Sequence, residues 1–468
     1  MFVKPHLIPR IGLLSTGHKM YWNQFPGLKD LGMRMHDKLI DKLSRIGEVV
    51  TCELVDTKEK AIEAGRFFLK QDIDLLLIFP FGYTTGMCVV PVVKNLNVPL
   101  RIINAHEDEV YDYKTADTAI YLHHEGVCCI PEYAGALVEL GKKFRVRTGH
   151  FGDKRLWDEI ASDCLGAAAA MRFKNMNFAV IGETYTNMTD MPTDEHRLMK
   201  TTGNLLIRPE VEEIEEAYKR VTDGQCEDMV RQFRAMYEVD QTVTDEHMRW
   251  SAKIAVAFEE VINKYDINAF GYYWWGEKEL ITQLRAQSAL AVSRLAAMGR
   301  PGVTEGDVKT AMSMKILDLL GGGGMFIEFF SMDFKNDILL VGHDGPSNIA
   351  VAEGKPRLQH LEVHHGKTGS GLGIDYEIKE GPVTLVNLTQ FDAGDTFKIV
   401  YTIGKTEQGD ILNIGNPNCR IRLQKPLHQF MDDWCQQGPS HHLALGIGDH
   451  SDALNTFAEA MKFRIVRI

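Results

Sequence analysis

An apolar stretch broken by isolated charges is demanding to fold, because each charge must be neutralised, paired or bound to a cation before its surroundings can be buried. Residues 304–346 have this pattern, reading TEGDVKTAMSMKILDLLGGGGMFIEFFSMDFKNDILLVGHDGP. Thr304-Glu305-Gly306-Asp307 is a helix start signal, and Val308, Ala311, Met312, Ile316, Leu319 and Leu320 then recur at helical spacing until Gly321–Gly324 stop the run. From Met325 the residues alternate, which predicts a strand with Phe326, Glu328 and Phe330 on one face and Met325, Ile327 and Phe329 on the other. A carboxylate between aromatic rings loses hydration worth several kcal/mol, enough to drive it to neutralise, pair or coordinate. Asp337–Val341 predicts a second strand, with His343 just past its C-terminal end, where open α/β sheets present ligands. Each charge also has an ordinary reading: Glu305 in a helix first turn, His343 as a satisfied loop histidine.

The remaining chain sets bounds. Its 468 residues suffice for about three domains. With 52 Lys plus Arg against 64 Asp plus Glu, the net charge of −12 argues against nucleic acid or an anionic membrane as partner. The N-terminus lacks the pattern of a secretory signal, and no apolar run has membrane-spanning length, so a cytoplasmic protein is expected. The cysteines are scattered without a C-x-x-C pair, which removes the usual signature of structural zinc.

Taken in order, Ile11–Ser15, Val49–Leu54, Ile73–Phe79 and Leu100–Asn104 read as strands separated by amphipathic helices, the pattern of a parallel α/β sheet. His18 follows the first strand, and His150 closes Thr148-Gly149-His150; both are expected at loops. A second α/β unit begins at Asn177–Gly182, followed by the loop carrying Tyr185, by helices at Glu210–Val221 and Asp245–Asn263, and by a strand with the aromatic run Phe270 to Trp275. No G-x-G-x-x-G turn follows a strand, the glycine-rich run at Gly369 opens no helix, and no phosphate-binding G-x-x-x-x-G-K-[ST] occurs. After His343, Ile374–Lys379, Val383–Gln390, Phe397–Thr406 and Cys419–Leu423 predict an antiparallel sheet or small barrel, with helices near Leu427–Cys435 and Asp452–Lys462. His441 and His442 lie in a loop between those helices. The fold class is therefore α/β: two doubly wound parallel domains, 1–175 and 176–325, then a C-terminal domain, 326–468, with an antiparallel β-barrel.

Two glutamates with one or two histidines make a mixed oxygen and nitrogen ligand set. Without thiolate, it suits an octahedral divalent ion such as Mn²⁺, Mg²⁺ or Co²⁺ better than a closed zinc site. The series Glu305 to Ala311, Gly323 to Glu328, Val341-Gly342-His343 and Ser440-His441-His442 resembles the motifs of the L-arabinose isomerase family in order and separation. Thr148-Gly149-His150 with Asp153-Lys154, and His18 with Tyr21, resemble earlier motifs of that family.

The resemblance implies a metal-dependent aldose–ketose isomerase working through an enediolate of an open-chain sugar. It further implies Mn²⁺ on Glu305, Glu328, His343 and His442, with Glu305 and Glu328 moving protons. His18, His150, Tyr185, Trp274, Phe326 and His441 are the expected contacts to a monosaccharide. A homo-oligomer, hexameric or trimer-based, is implied as well, with sites at subunit interfaces that His18 and His150 reach from a neighbour. Gly17 replaces the family's usual glutamine, Tyr185 a methionine, Trp274 a phenylalanine and Asp344-Gly-Pro a Met-Leu-Glu. These departures point to a sugar other than L-arabinose. The alternatives are an isomerase or epimerase of another polyol or sugar acid, and a sugar-binding or regulatory protein on the same scaffold.

Overall fold

The computed structural model describes residues 7–274, 279–360, 371–391 and 396–468, the side chains of 279–287 and 391 excepted. Trp275 and Gly369 fall outside the described residues. The chain forms two compact units, His6–Met171 with Asp452–Met461, and Arg172–Ser451 with Lys462–Ile468.

The first unit is built on strands β1 (Arg10–Thr16), β2 (Glu48–Thr51), β3 (Leu75–Pro80), β4 (Leu100–His106) and β5 (Phe144–His150), all parallel, in the order β2-β1-β3-β4-β5. Alternation along the strands sorts the side chains into two cores, as a doubly wound sheet requires. Leu14, Ile78 and Ile102 pack with Phe68, Ile130 and Tyr133 on one face, while Leu13, Leu77 and Ile103 pack with Met35, Leu39 and Ile160 on the other. A charged residue interrupts the apolar run of β4. Arg101 is wholly buried in β4, where it ion-pairs with the equally buried Asp163 at 2.9 Å and donates to Thr456 Oγ1 at 2.7 Å and Glu459 Oε2 at 3.0 Å. Arg147 of β5 donates to the other oxygen of Asp163 at 2.7 Å. Burial alone would push the Asp163 carboxyl up, but the two guanidiniums and Thr456 hold it below the usual carboxylate range. This cluster ties the helix Ser451–Met461 into a sheet built some 350 residues earlier in the chain.

The second unit starts with β6 (Asn177–Gly182), β7 (Leu206–Ile207), β8 (Glu238–Val239), β9 (Ile267–Tyr273) and β10 (Gly302–Val303). Four of these make a parallel sheet in the order β10-β9-β6-β7. The predicted helices form at Val211–Arg220 and Asp245–Lys264, the latter capped by the Thr244 hydroxyl. There follow β11 (Met325–Asp333), β12 (Ile338–Gly342), β13 (Arg357–His360), β14 (Leu372–Asp375), β15 (Gly381–Phe391), β16 (Thr396–Glu407), β17 (Asn418–Leu423), β18 (His442–Ile447) and β19 (Arg464–Arg467). Six of them run β15-β18-β11-β12-β17-β16, and pairing of β16 back onto β15 closes an antiparallel barrel, with β19 added to β16 in parallel. Closure leaves no free edge among those six strands. Ile374–Lys379, expected in that sheet, stands apart: β14 pairs with β13, which pairs in turn with β8.

Among the described residues no helix is long and apolar enough to cross a membrane.

Removing the Arg101 guanidinium would leave Asp163 and Glu459 short of a counter-charge in a buried site. Arg101→Met is expected to cost about 3–5 kcal/mol, measured by chemical denaturation. Faster amide hydrogen exchange in Ser451–Met461 should accompany the loss.

Candidate active site

The helix Val308–Leu319 begins three residues later than the start signal suggests, and the delay builds the site. Glu305 and Gly306 both adopt left-handed backbone, φ 63° and 70°, so the chain cannot turn helical until Asp307, which is the N-cap. Gly306 is required there: a Cβ would lie 2.4 Å from the Glu183 carbonyl oxygen and 2.8 Å from Thr184 Cα. The turn is pinned by the Tyr185 amide donating to the Glu305 carbonyl at 2.9 Å and the Gly306 amide to the Tyr272 carbonyl at 3.3 Å. A non-glycine residue held at positive φ costs about 1–2 kcal/mol, and here it projects the Glu305 carboxylate from the helix entrance.

Glu328 comes from β11, directly opposite Gly342 on β12 and His442 on β18. His343 follows the end of β12. A bulge at Phe330, between the pairs Phe329–Val341 and Ser331–Leu340, ends the expected sharing of a face after Glu328. The imidazoles are oriented by their neighbours. His343 Nδ1 donates to the Asp344 carbonyl at 2.7 Å, and His442 Nδ1 to the Asp307 carboxylate at 3.2 Å. His343 Nε2 and His442 Nε2 lie 3.2 Å apart, a hydrogen bond when one of them carries a proton, and Glu305 Oε2 lies 3.6 Å from that of His442. Glu305 Oε2 is itself buried without a hydrogen-bond partner.

Three lone-pair donors facing one another repel unless a proton or cation lies between them. Glu305, His343 and His442 offer ligand atoms within 4.8 Å of one another, and so do Glu328, His441 and His442. An ion with bonds of about 2.0–2.4 Å spaces its ligand atoms roughly 3–5 Å apart, so the donors fit a divalent cation. The Asp344 carbonyl and Asp307 carboxylate supply the outer hydrogen bonds that metal-binding imidazoles need.

Burial, together with the charge of His442, holds His343 well below the usual imidazole range. Burial also acts to lower His442, but the Asp307 hydrogen bond and the charges of Asp307, Glu305 and Glu328 outweigh it and raise the ring. Glu328 is raised by burial against the pull of His442 and His441. Asp307, wholly buried, would rise by burial but is held low by His442, Lys309 and Thr310.

Two of the expected sugar contacts are buried. Phe326 is fully buried beneath the imidazoles, stacked on His343 at 3.7 Å and edge-on to His442 at 4.7 Å, so it braces the ligands. Trp274 is 4% exposed and packs with Phe258 and Tyr272 in the apolar core. Strand parity sends Tyr272 and Trp274 to the core face and Tyr273 to the other, so the ring that meets Tyr185, at 5.2 Å, belongs to Tyr273. His441 is exposed beside His442, ring centroids 4.0 Å apart. His18, stacked on Tyr83, and His150, which accepts from the Gly152 amide, belong to the first unit. Residues that the sequence reading had not given a role are the orienting Asp307, the buried Lys309 and Asp190, a partner of His441.

The model of the L-arabinose isomerase central domain matches residues 202–323, and that of the L-arabinose isomerase C-terminal domain matches residues 323–464. Together they cover more than half of the chain. The chain is a divergent member of the L-arabinose isomerase family. An L-arabinose isomerase of Shewanella sp. (strain MR-4) is 24% identical over 362 residues, 74% of this chain and 70% of its own length. That of Clostridium beijerinckii is 21% identical over 72% of this chain and 68% of its own length, and that of Thermotoga neapolitana 24% identical over 69% and 66%. Family membership makes the chain an aldose–ketose isomerase. The two matched regions meet at Gly323, so Glu305 comes from the first and Glu328, His343, His441 and His442 from the second.

Gly306→Ala tests the turn. The left-handed backbone and the clash with Glu183 are expected to cost about 2 kcal/mol, lowering the melting temperature by roughly 4–8 °C. Displacing Glu305 by a fraction of an ångström should cut kcat/KM at least ~10-fold. Gly224→Ala, with open space around its Cβ, should change neither.

Proposed function

We propose that this chain interconverts an open-chain aldose and its ketose at a divalent cation, Mn²⁺ or else Mg²⁺ or Co²⁺, held by Glu305, Glu328, His343 and His442. The observation that carries this reading is the convergence of the Nε2 atoms of His343 and His442 with Glu305 Oε2, a buried carboxylate oxygen without a hydrogen-bond partner. When bound, the cation polarises the sugar carbonyl and steadies negative charge developing on the two sugar oxygens.

The chain's own residues do the rest. Isomerisation moves a proton from C2 to C1 through an enediol and shifts the hydroxyl proton from O2 to O1. Glu305 and Glu328 are the carboxylates placed to take and return these protons, a contribution of roughly 10²- to 10⁴-fold. Glu305 is fixed by its turn and Glu328 by the barrel, so little reorganisation accompanies transfer. Phe326 keeps the imidazoles in place and excludes water from behind them. His441 and Tyr185 face the sugar. The ring of Tyr185, in the loop hydrogen-bonded to Glu305, pairs with that of Tyr273 at the end of β9, and the two support a pocket shaped for a sugar other than L-arabinose.

Assembly of like subunits belongs to the same proposal, with His18 and His150 serving a neighbour's site. The exposed apolar side chains Val110, Tyr113, Tyr121 and Val127 of the first unit support it.

Incubation with a panel of aldopentoses and aldohexoses in D₂O should give ketose and deuterium incorporation for at least one sugar. Chelation should abolish turnover, and Mn²⁺ should restore it. Glu328→Gln should lower kcat by at least ~10²-fold with an unchanged circular dichroism spectrum. Sugar binding without exchange would indicate a binding protein, and equal efficiency on L-arabinose and every other sugar would remove the inferred difference in specificity.

A further inference from the structure

The loop from β6 to the helix Glu195–Thr202 is built into the site at several points. Tyr185 is bound to Glu305 through the backbone, and the Thr184 hydroxyl reaches the Gly306 carbonyl at 3.5 Å. Lys309 is buried under the loop, donating to the carbonyls of Met191 at 2.7 Å and Pro192 at 3.0 Å while lying 3.8 Å from Asp307. Its stem leaves the first turn of the helix that Asp307 caps, so the loop and the His442 support share one anchor.

Asp190 stands at the end of this anchored loop. A single oxygen, Oδ2, accepts from both the backbone amide and ring Nδ1 of His441, each at 2.8 Å, across 251 residues of sequence. Two hydrogen bonds from one residue to one oxygen fix the ring relative to its own backbone. Stability alone does not account for the contact: both side chains are about one-third exposed, and ion pairs so solvated contribute little. What the contact does define is chemical. With Nδ1–H directed at the carboxylate, neutral His441 presents Nε2 as an acceptor. His441 also lies with Glu328 and His442 in one cluster of ligating atoms.

We propose that Asp190 is a positioning residue for the isomerase reaction, setting the tautomer and orientation of His441 so that Nε2 accepts a hydrogen bond from a substrate hydroxyl. The site then holds two aspartate–imidazole pairs side by side. Asp307 directs His442 inward as a ligand, and Asp190 directs His441 outward to the sugar. The proposal rests on the isomerase reading of the site, so its first readout is independent of turnover.

Crystal structures of Asp190→Ala and Asp190→Asn decide the geometry. In the alanine variant the His441 ring should lose its single orientation while Glu305, Glu328, His343 and His442 superpose on the parent. In the asparagine variant the amide oxygen should still accept from Nδ1–H and hold the ring. An unmoved ring in Asp190→Ala overturns the proposal, as does collective movement of the four inner residues. Kinetics with the best sugar of the panel should show kcat/KM reduced roughly 10- to 100-fold in Asp190→Ala, mostly recovered in Asp190→Asn. Equal impairment of both variants overturns the orienting role in favour of charge. A parent enzyme with no turnover on any sugar sinks the isomerase reading and leaves the ring orientation to be judged by the structures alone.

Discussion

The carboxylate of Asp307 is the point on which the second unit turns. It is wholly buried, yet it caps the helix Val308–Leu319 through the Thr310 amide, accepts from the Thr310 hydroxyl at 2.8 Å and from His442 Nδ1 at 3.2 Å, and lies near the Lys309 ammonium. The helix N-terminus adds its own favourable field for an anion. An uncompensated carboxylate in that position would cost several kcal/mol, so each partner is needed for the others to be buried. The interaction links a helix start to the first residue of β18 and decides which nitrogen of His442 faces His343 and Glu305. The Thr310 hydroxyl makes the same link a second time by reaching the His442 carbonyl at 3.1 Å.

Around that point the candidate ligands gather mostly at breaks in regular structure. Glu305 sits on a left-handed turn, His343 just beyond a strand end and His442 at a strand start, while Glu328 alone lies inside a strand. The closed barrel holds three of them in register, because Glu328 faces both Gly342 and His442 across the sheet. Gly342 leaves room where a Cβ would meet the Phe330 ring at 2.7 Å and Asn418 Cβ at 2.8 Å. Asn348 donates to the carbonyls of Gly323 and Gly324 at 2.8 Å, tying the loop that follows His343 to the glycine turn that precedes β11.

Much of this was legible in residue order, for physical reasons that also set the limits. Glu305, Glu328 and His343 announce themselves because charge amid apolar periodicity demands a partner nearby. His442 carries no such mark, and it entered only through resemblance to a family. The parallel sheets and the barrel follow from the spacing of apolar runs, whereas the docking of Ser451–Met461 on the first sheet depends on Arg101 and Asp163, each unremarkable in its own segment. Sequence proximity does not fix the direction of an aromatic ring: strand parity and packing put Phe326 beneath the imidazoles and Trp274 in the core. Asp190 could not have been found from spacing, since its partner lies 251 residues away.

A chain only 24% identical to a Shewanella L-arabinose isomerase can keep the family's fold for the same reason. Apolar cores accept substitutions that keep volume and pattern at a cost below about 1.5 kcal/mol each, so the sheets and barrel can change sequence in small independent steps. The site cannot. Replacing Asp307 frees the His442 ring, replacing His442 removes one of the partners of Asp307, and replacing Lys309 leaves the carbonyls of Met191 and Pro192 without its ammonium as well as weakening Asp307. Each single change takes a partner from a buried polar group, at about 1–3 kcal/mol for a neutral group and more for a charge. A network coupled in this way tends to be lost together or kept together, whereas the apolar core around it can change one side chain at a time.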